Sequence, residues 1–269
     1  MNMNSKELLE IAIKASIEAG VEILKVYDRD DHGVESKKDD SPLTLADIAS
    51  NNVINSYLQK TNVPIISEEN KETVYAERKA WKDCWIVDPL DGTKEFIKKN
   101  GEFTVNIALV SEGEPILGVI YVPVSRELYY ADAGLKASFK TVLTQDHEVV
   151  SELFKEDDKI NPSIQLKDTI RVVGSRSHMN EDTESFVAGL KSKYKNVEIV
   201  SKGSSLKFCL VAEGIADVYP RFAPTMEWDT AAGQAICNAV GLKVTAQDSQ
   251  KPLLYNKENL LNPYFLISN

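Results

Sequence analysis

Cysteine is scarce: Cys84, Cys209 and Cys237 are the only three in 269 residues. They are odd in number, widely spaced and set in apolar neighbourhoods, which excludes a disulfide framework or a thiolate zinc site and predicts buried free thiols. Positive charge is in the minority, with 31 Lys and Arg against 41 Asp and Glu, a net charge of −10. That surplus repels polymeric nucleic acid and anionic lipid unless basic residues cluster locally, so no nucleic-acid partner is expected. No apolar run approaches the roughly 18 residues of a membrane span, so no transmembrane segment is expected. The start, MNMNSKELLE, lacks the basic-then-apolar order of a secretory signal. A cytoplasmic protein is therefore expected, with peripheral membrane association and oligomeric state left open. There is no internal repeat or low-complexity tract. What remains is a chain that is 43% apolar and 27% charged, long enough for a sizeable core in one domain or two lobes.

Apolar positions Leu8, Ile11, Ala12, Ala15, Ala19, Ile23 and Val26 recur at helical spacing, predicting a helix over 5–27 with Ser5 as N-cap. A second helix follows SPLT, with Thr44 and Asp47 in capping-box positions and Ala46, Ala49, Val53 and Tyr57 as its inner stripe. Strands are predicted at 63–67, 84–87, 103–110, 116–122 and 128–131, the last three as an antiparallel meander. Residues 141–168 are polar and acid-rich, suggesting a surface excursion or a joint between a 1–140 lobe and a 141–269 lobe. Beyond it the pattern predicts strands at 169–173 and 217–220 and helices at 181–194, 206–212 and 228–240. The mixture is α/β or α+β, with helices covering sheets.

The informative stretch is WIVDPLDGTKEF, residues 85–96, where an apolar strand runs into two acids. Pro89 fixes its own φ and restricts Asp88, while Gly92 permits a tight turn and close approach to a ligand. Read alone, a DG dipeptide is a plain turn. Similar acids stand at other element ends: Glu68 and Glu69 after VPIIS, and Asp229 after MEW. Each has an ordinary reading, a solvated loop acid for the first two and a helix cap for the third. If they converge, like charges about 4 Å apart repel by roughly 4 kcal/mol per pair at an effective dielectric of ~20, and a cation must be present. All-oxygen ligands select hard ions, Mg²⁺ foremost, which borrow oxygens from substrate phosphates. Phosphatases that form an aspartyl-phosphate on D-x-D-G-T are excluded in this register, because the position two before Asp91 is Pro89. Water is then the nucleophile.

Six segments carry a resemblance along nearly the whole chain: KKDDSPLTLAD (37–47), SEE (67–69), WIVDPLDGTKEF (85–96), GSRSH (174–178), GSSLKFCLVAEGIADVYPR (203–221) and PTMEWDTAAG (224–233). They resemble the inositol monophosphatase superfamily of lithium-sensitive sugar phosphatases. GSRSH, GSSLKFC and YPR tilt the resemblance towards its bisphosphate nucleotidase branch. It implies a layered αβαβα fold with two lobes and the metal site between them, and two or three Mg²⁺ ions held by Glu68, Asp88, the carbonyl of Leu90, Asp91 and Asp229. It further implies that Thr93, oriented by Asp47, helps deprotonate the attacking water, with Glu68 assisting.

The backbone of Gly92 and Thr93, beside a helix start near Lys94, would cradle the departing phosphate. Lys207 and Arg221 are the implied cations for a second phosphate, with Ser175, Arg176, His178 and Ser204 as further contacts, and Lys37 and Lys38 adding positive potential. The implied reaction removes the 3′-phosphate of adenosine 3′,5′-bisphosphate, or of its phosphosulfate analogue, without a covalent intermediate, and lithium inhibits it. Inositol or fructose phosphate hydrolysis would use the same metal chemistry and differ only in the pocket. A binding module without turnover is the reading from another class.

Overall fold

The computed structural model describes residues 3–29, 35–36, 42–150, 152–164, 168–174 and 180–269. Helix α1 spans Ser5–Tyr27, a two-residue hairpin pairs β1 (Glu35–Ser36) with β2 (Pro42–Leu43), and α2 spans Leu45–Leu58. A seven-stranded sheet follows in sequence order: β3 Ile65–Ser67, β4 Asp83–Asp91, β5 Thr104–Ser111, β6 Glu114–Val122, β7 Glu127–Asp132, β8 Ala137–Val142 and β9 Lys159–Ile160. Short helices α3 (Tyr75–Arg78) and α4 (Thr93–Ile97) flank β4. The rest comprises β10 Thr169–Gly174, α5 Glu181–Lys191, β11 Asn196–Ser201, α6 Leu206–Ala212, β12 Tyr219–Arg221, α7 Ala231–Ala239, β13 Lys243–Ala246 and β14 Phe265–Ser268.

Strand alternation builds the layers. On β4, Trp85 and Val87 point to one face and pack with Leu9, Ile13 and Ile23 of α1 and Ile54 of α2. Cys84 and Ile86 point to the other and join Cys209 of α6, Ile236 of α7, and Val244, Phe265 and Ile267 of the three-stranded sheet β12-β14-β13. Because both faces are covered, the strand reads as a continuous apolar run. The parallel pair β10–β11 extends the layer of the three-stranded sheet edgewise, the Val173 N–H donating to the Val218 carbonyl, and outside it lies α5, whose Val187 packs on Ile170, Val172 and Val218. The αβαβα layering is therefore present. All three cysteines are buried and free. Among the described residues, no helix is long and apolar enough to cross a membrane.

Several local expectations shift. Asn4, not Ser5, caps α1: its side chain accepts from the Glu7 N–H, whose carboxylate accepts from the Asn4 N–H. The Ser5 hydroxyl instead donates to Asp132. On α2 the buried positions are Ala46, Asp47, Ser50, Asn51, Ile54 and Leu58, while Ala49, Val53 and Tyr57 are half-buried. An apolar-only pattern misses this face because three of its members, Asp47, Ser50 and Asn51, are polar. Helix α5 stops at Lys191, β12 begins two residues late, and α7 starts at Ala231, which leaves Asp229 in the turn before it. The acid-rich stretch does not leave the sheet for good. Strand β8 crosses position 140, and β9 returns to pair Ile160 with Ser138.

Helix α7 sits so close to β6 that a Cβ on Gly118 would lie 2.5 Å from the Ala232 carbonyl oxygen and 2.7 Å from Ala235 Cβ. Gly118→Ala is expected to destabilise the protein by about 1–3 kcal/mol in urea denaturation, the usual cost of overpacking. A wild-type curve would show that α7 can move off the sheet freely.

Candidate functional site

Side chains three apart on a regular strand face opposite ways. Asp88 pairs with Asn106 and Asp91 with Thr104, so three steps on β4 oppose two on β5. The extra residue is a bulge at Pro89, which has no N–H to give the ladder, and it turns both acids to the same side. The Ser50 hydroxyl donates to the Pro89 carbonyl at 2.6 Å, pinning the bulge from α2. Asp88 accepts the Leu90 N–H at 3.0 Å. Gly92 follows with φ +93°, a conformation that side chains resist, and opens α4, which is only five residues long.

Asp229 arrives from the other end of the chain. Its carboxylate accepts the Met226 N–H at 2.8 Å, so the side chain closes its own turn and does not cap α7. That turn is anchored by Glu227, fully buried, which accepts the N–H groups of Asn256 and Lys257 and the Lys257 ammonium at 2.6 Å. Oxygens of Asp88, Asp91 and Asp229 lie within 4.8 Å of one another. Glu68 follows β3, its N–H donating to the Val87 carbonyl. It stands outside that three-residue group, yet its charge acts on both Asp88 and Asp229. Burial, then Glu68, Asp91, Asp229 and Asp47, holds the Asp88 carboxyl well above the usual carboxylate range. Burial, then Asp91, pushes Asp229 up as well. Such crowding of hard oxygen donors fits a small divalent cation that would neutralise it.

Asp47 does two things. One oxygen accepts the Thr44 N–H at 2.8 Å while the Asp47 N–H donates to the Thr44 hydroxyl at 3.4 Å, which is the capping box, and the same carboxylate oxygen accepts that hydroxyl at 2.5 Å. The other lies 3.4 Å from the Thr93 hydroxyl. Thr93 Oγ1 is also 3.5 Å from the Leu90 carbonyl. One carboxylate thus serves the capping box of α2 with one oxygen and approaches Thr93 with the other.

Beside the acids is a cavity of about 240 Å³ lined by Lys94, Lys98, Lys207 and Arg221 and by Asp91, Glu95 and Asp229, with Gly92 and Ser204. Lys207 donates to the Ser204 carbonyl at 3.0 Å, and Arg221 donates to the Pro224 carbonyl at 3.3 Å. The buried Arg221 Nε has no partner among the described residues. Ser175, Arg176 and His178, with Lys37 and Lys38, lie outside the described residues.

Sequence reasoning missed Lys94 and Lys98, which the 3.6-residue period brings to the cavity together. It also missed Ser50, Thr104, Asn106 and Ser205. Their visible signal is polar residues inside otherwise apolar elements, as in TVNIALV.

The pattern of the inositol monophosphatase family matches residues 4–264. The chain belongs to the inositol monophosphatase family. It is 44% identical over 268 residues to the 3′(2′),5′-bisphosphate nucleotidase CysQ of Escherichia coli K12, covering 97% of this chain and 99% of that one. The CysQ of Salmonella typhimurium is 43% identical with the same coverage. The crystal structure of CysQ from Bacteroides thetaiotaomicron, described as a bacterial member of this family, superposes with a TM-score of 0.88 at 47% identity, covering 99% of this chain and 98% of that one.

Replacing Asp88 by the neutral Asn keeps an acceptor for the Leu90 N–H and removes like-charge repulsion. In EDTA, Asp88→Asn is expected to melt higher than wild type, by about 2–4 °C per kcal/mol relieved. It should also lose the stabilisation that Mg²⁺ gives the wild type. Thermal melts followed by circular dichroism check both, and a lower melting point in EDTA would contradict the crowding.

Proposed function

We propose that the protein is a Mg²⁺-dependent 3′(2′),5′-bisphosphate nucleotidase, a phosphoric monoester hydrolase that uses water to convert adenosine 3′,5′-bisphosphate to AMP and phosphate. The observation that carries this reading is one cavity that Lys94, Lys98, Lys207 and Arg221 line together with Glu95 and with Asp91 and Asp229 of the carboxylate cluster. An inositol monophosphate has a single phosphate for the acidic end, with its cation, to take. A bisphosphate nucleotide brings a second, and in a chain of net charge −10 only a local cluster of cations holds it. The names of the relatives point the same way.

Divalent cations bound by Asp88, Asp91, Asp229, Glu68 and the Leu90 carbonyl would offset phosphate charge and make water acidic enough to be activated near neutral pH. The chain's own groups then divide the work. The Thr93 hydroxyl donates to Asp47 and so offers its oxygen as acceptor to the attacking water. Asp47, held by Thr44, keeps that hydroxyl in one orientation. Glu68 accepts from the water on its other side. Lys207 and Arg221, joined by Lys94 and Lys98, orient the second phosphate, with Ser175, Arg176 and His178 as further contacts.

Purified protein is expected to release phosphate from adenosine 3′,5′-bisphosphate with Mg²⁺ and not in EDTA. Release from inositol 1-phosphate or fructose 1,6-bisphosphate alone would refute the substrate assignment. Asp47→Asn and Thr93→Val are expected to lower kcat about 10²–10⁴-fold with KM nearly unchanged. Lys207→Glu should raise KM for the bisphosphate nucleotide roughly 10–100-fold, the loss of a charge-assisted hydrogen bond, and leave inositol phosphate kinetics alone.

A further inference from the structure

Two local rules are broken where α6 begins. Ser205 occupies the N-cap of that helix, where a serine side chain normally accepts a helical N–H, yet it makes no capping bond. Ser204 before it adopts φ +52°, a left-handed conformation unfavourable for a residue with a Cβ. Both departures serve the same atom. Ser204 Oγ lies 2.7 Å and Ser205 Oγ 2.6 Å from Asp91 Oδ2. Ser205 Oγ is also 3.0 Å from the Asp229 carbonyl and accepts from the Asn106 amide at 2.9 Å. Asn106 reaches Asp91 Oδ2 at 3.4 Å, and Thr104 stands 2.7 Å from Ser204 and 2.9 Å from the Asn106 carbonyl. Each hydroxyl has one proton, and the charged oxygen is the stronger acceptor, so both serine protons go to Oδ2. Asp91 Oδ1 accepts no hydrogen bond among the described residues.

We propose that Ser205, with Ser204, is a positioning residue for the cation site. It locks the Asp91 carboxylate through Oδ2, which leaves Oδ1 without a protein donor among the described residues, and so presets the orientation of that carboxylate beside Asp88 and Asp229. A fixed oxygen spacing matters most for Mg²⁺, which demands near-ideal octahedral geometry, and less for the adaptable Ca²⁺. The clamp therefore confers selectivity as well as affinity. The inference rests on the divalent-cation reading above.

Calorimetric titration of Mg²⁺ and Ca²⁺ into the full chain tests it without an activity assay. Ser205→Ala is expected to weaken Mg²⁺ binding about 10–100-fold, the usual effect of removing a partner of a ligating side chain, and Ca²⁺ binding distinctly less. Ser205→Thr, which keeps the hydroxyl, should restore Mg²⁺ binding. A Mg²⁺ affinity in Ser205→Ala within about twofold of wild type, or equal losses for both ions, overturns the inference alone. A wild type that binds neither ion overturns the cation reading and the inference with it. Should Ser205→Ala not fold by circular dichroism, Ser204→Ala decides by the same criteria, since it removes the other bond to the same oxygen.

Discussion

Carboxylates whose oxygens converge within 4.8 Å repel one another, and a fold that brings Asp88, Asp91 and Asp229 together must hold them against that force. Much of the surrounding architecture answers to this constraint. The bulge at Pro89 aims two acids the same way, Ser50 pins the bulge, and two hydroxyls and an amide surround one oxygen of Asp91. Arg221 acts on Asp229, yet burial and the neighbouring carboxylates outweigh it, so the charge is offset only in part. That residual negative potential is what the proposed divalent cations would neutralise.

The turn carrying Asp229 meets the same demand from the far end of the chain. Glu227 and Lys257 form a buried ion pair, while Arg78, also fully buried, donates to the Asn256 side chain and the Lys257 and Glu258 carbonyls. Removing one member of such a set strands a buried charge, so the loop over 256–258 and the turn over 226–229 act as one rigid piece. Rigidity there keeps Asp229 from relaxing away from Asp91. Close packing of α7 on β6 at Gly118 adds to it.

Legibility in the sequence followed the range of the interaction. Thr44 and Asp47 announced a capping box because both partners lie within one helical turn. The meander β5–β6–β7 was visible from alternating apolar runs joined by short turns. The inner face of α2 was misjudged because Asp47, Ser50 and Asn51 face inward to bond with Thr93, Pro89 and Ser67, against the apolar rule. Ser205 hid inside a quoted motif, since nothing local says that an N-cap serine will forgo its cap. Lys94 and Lys98 carry no local mark of a site, because Lys207 of α6 and Arg221 of β12 complete the lining of their cavity from distant parts of the chain.

By itself the amino-acid order determined which chemistry was possible: acids at strand and turn ends, a proline and a glycine that bend the chain between them, and enough apolar periodicity to bury the elements carrying them. Those are properties of neighbouring residues, set by backbone sterics and hydrophobic spacing. Only the tertiary structure decided that Asp91 meets Asp229 across more than a hundred residues, which of its oxygens is left free, and which lysines share its cavity. Long-range proximity arises from packing two faces of one sheet against different helices, and no local pattern encodes that distance.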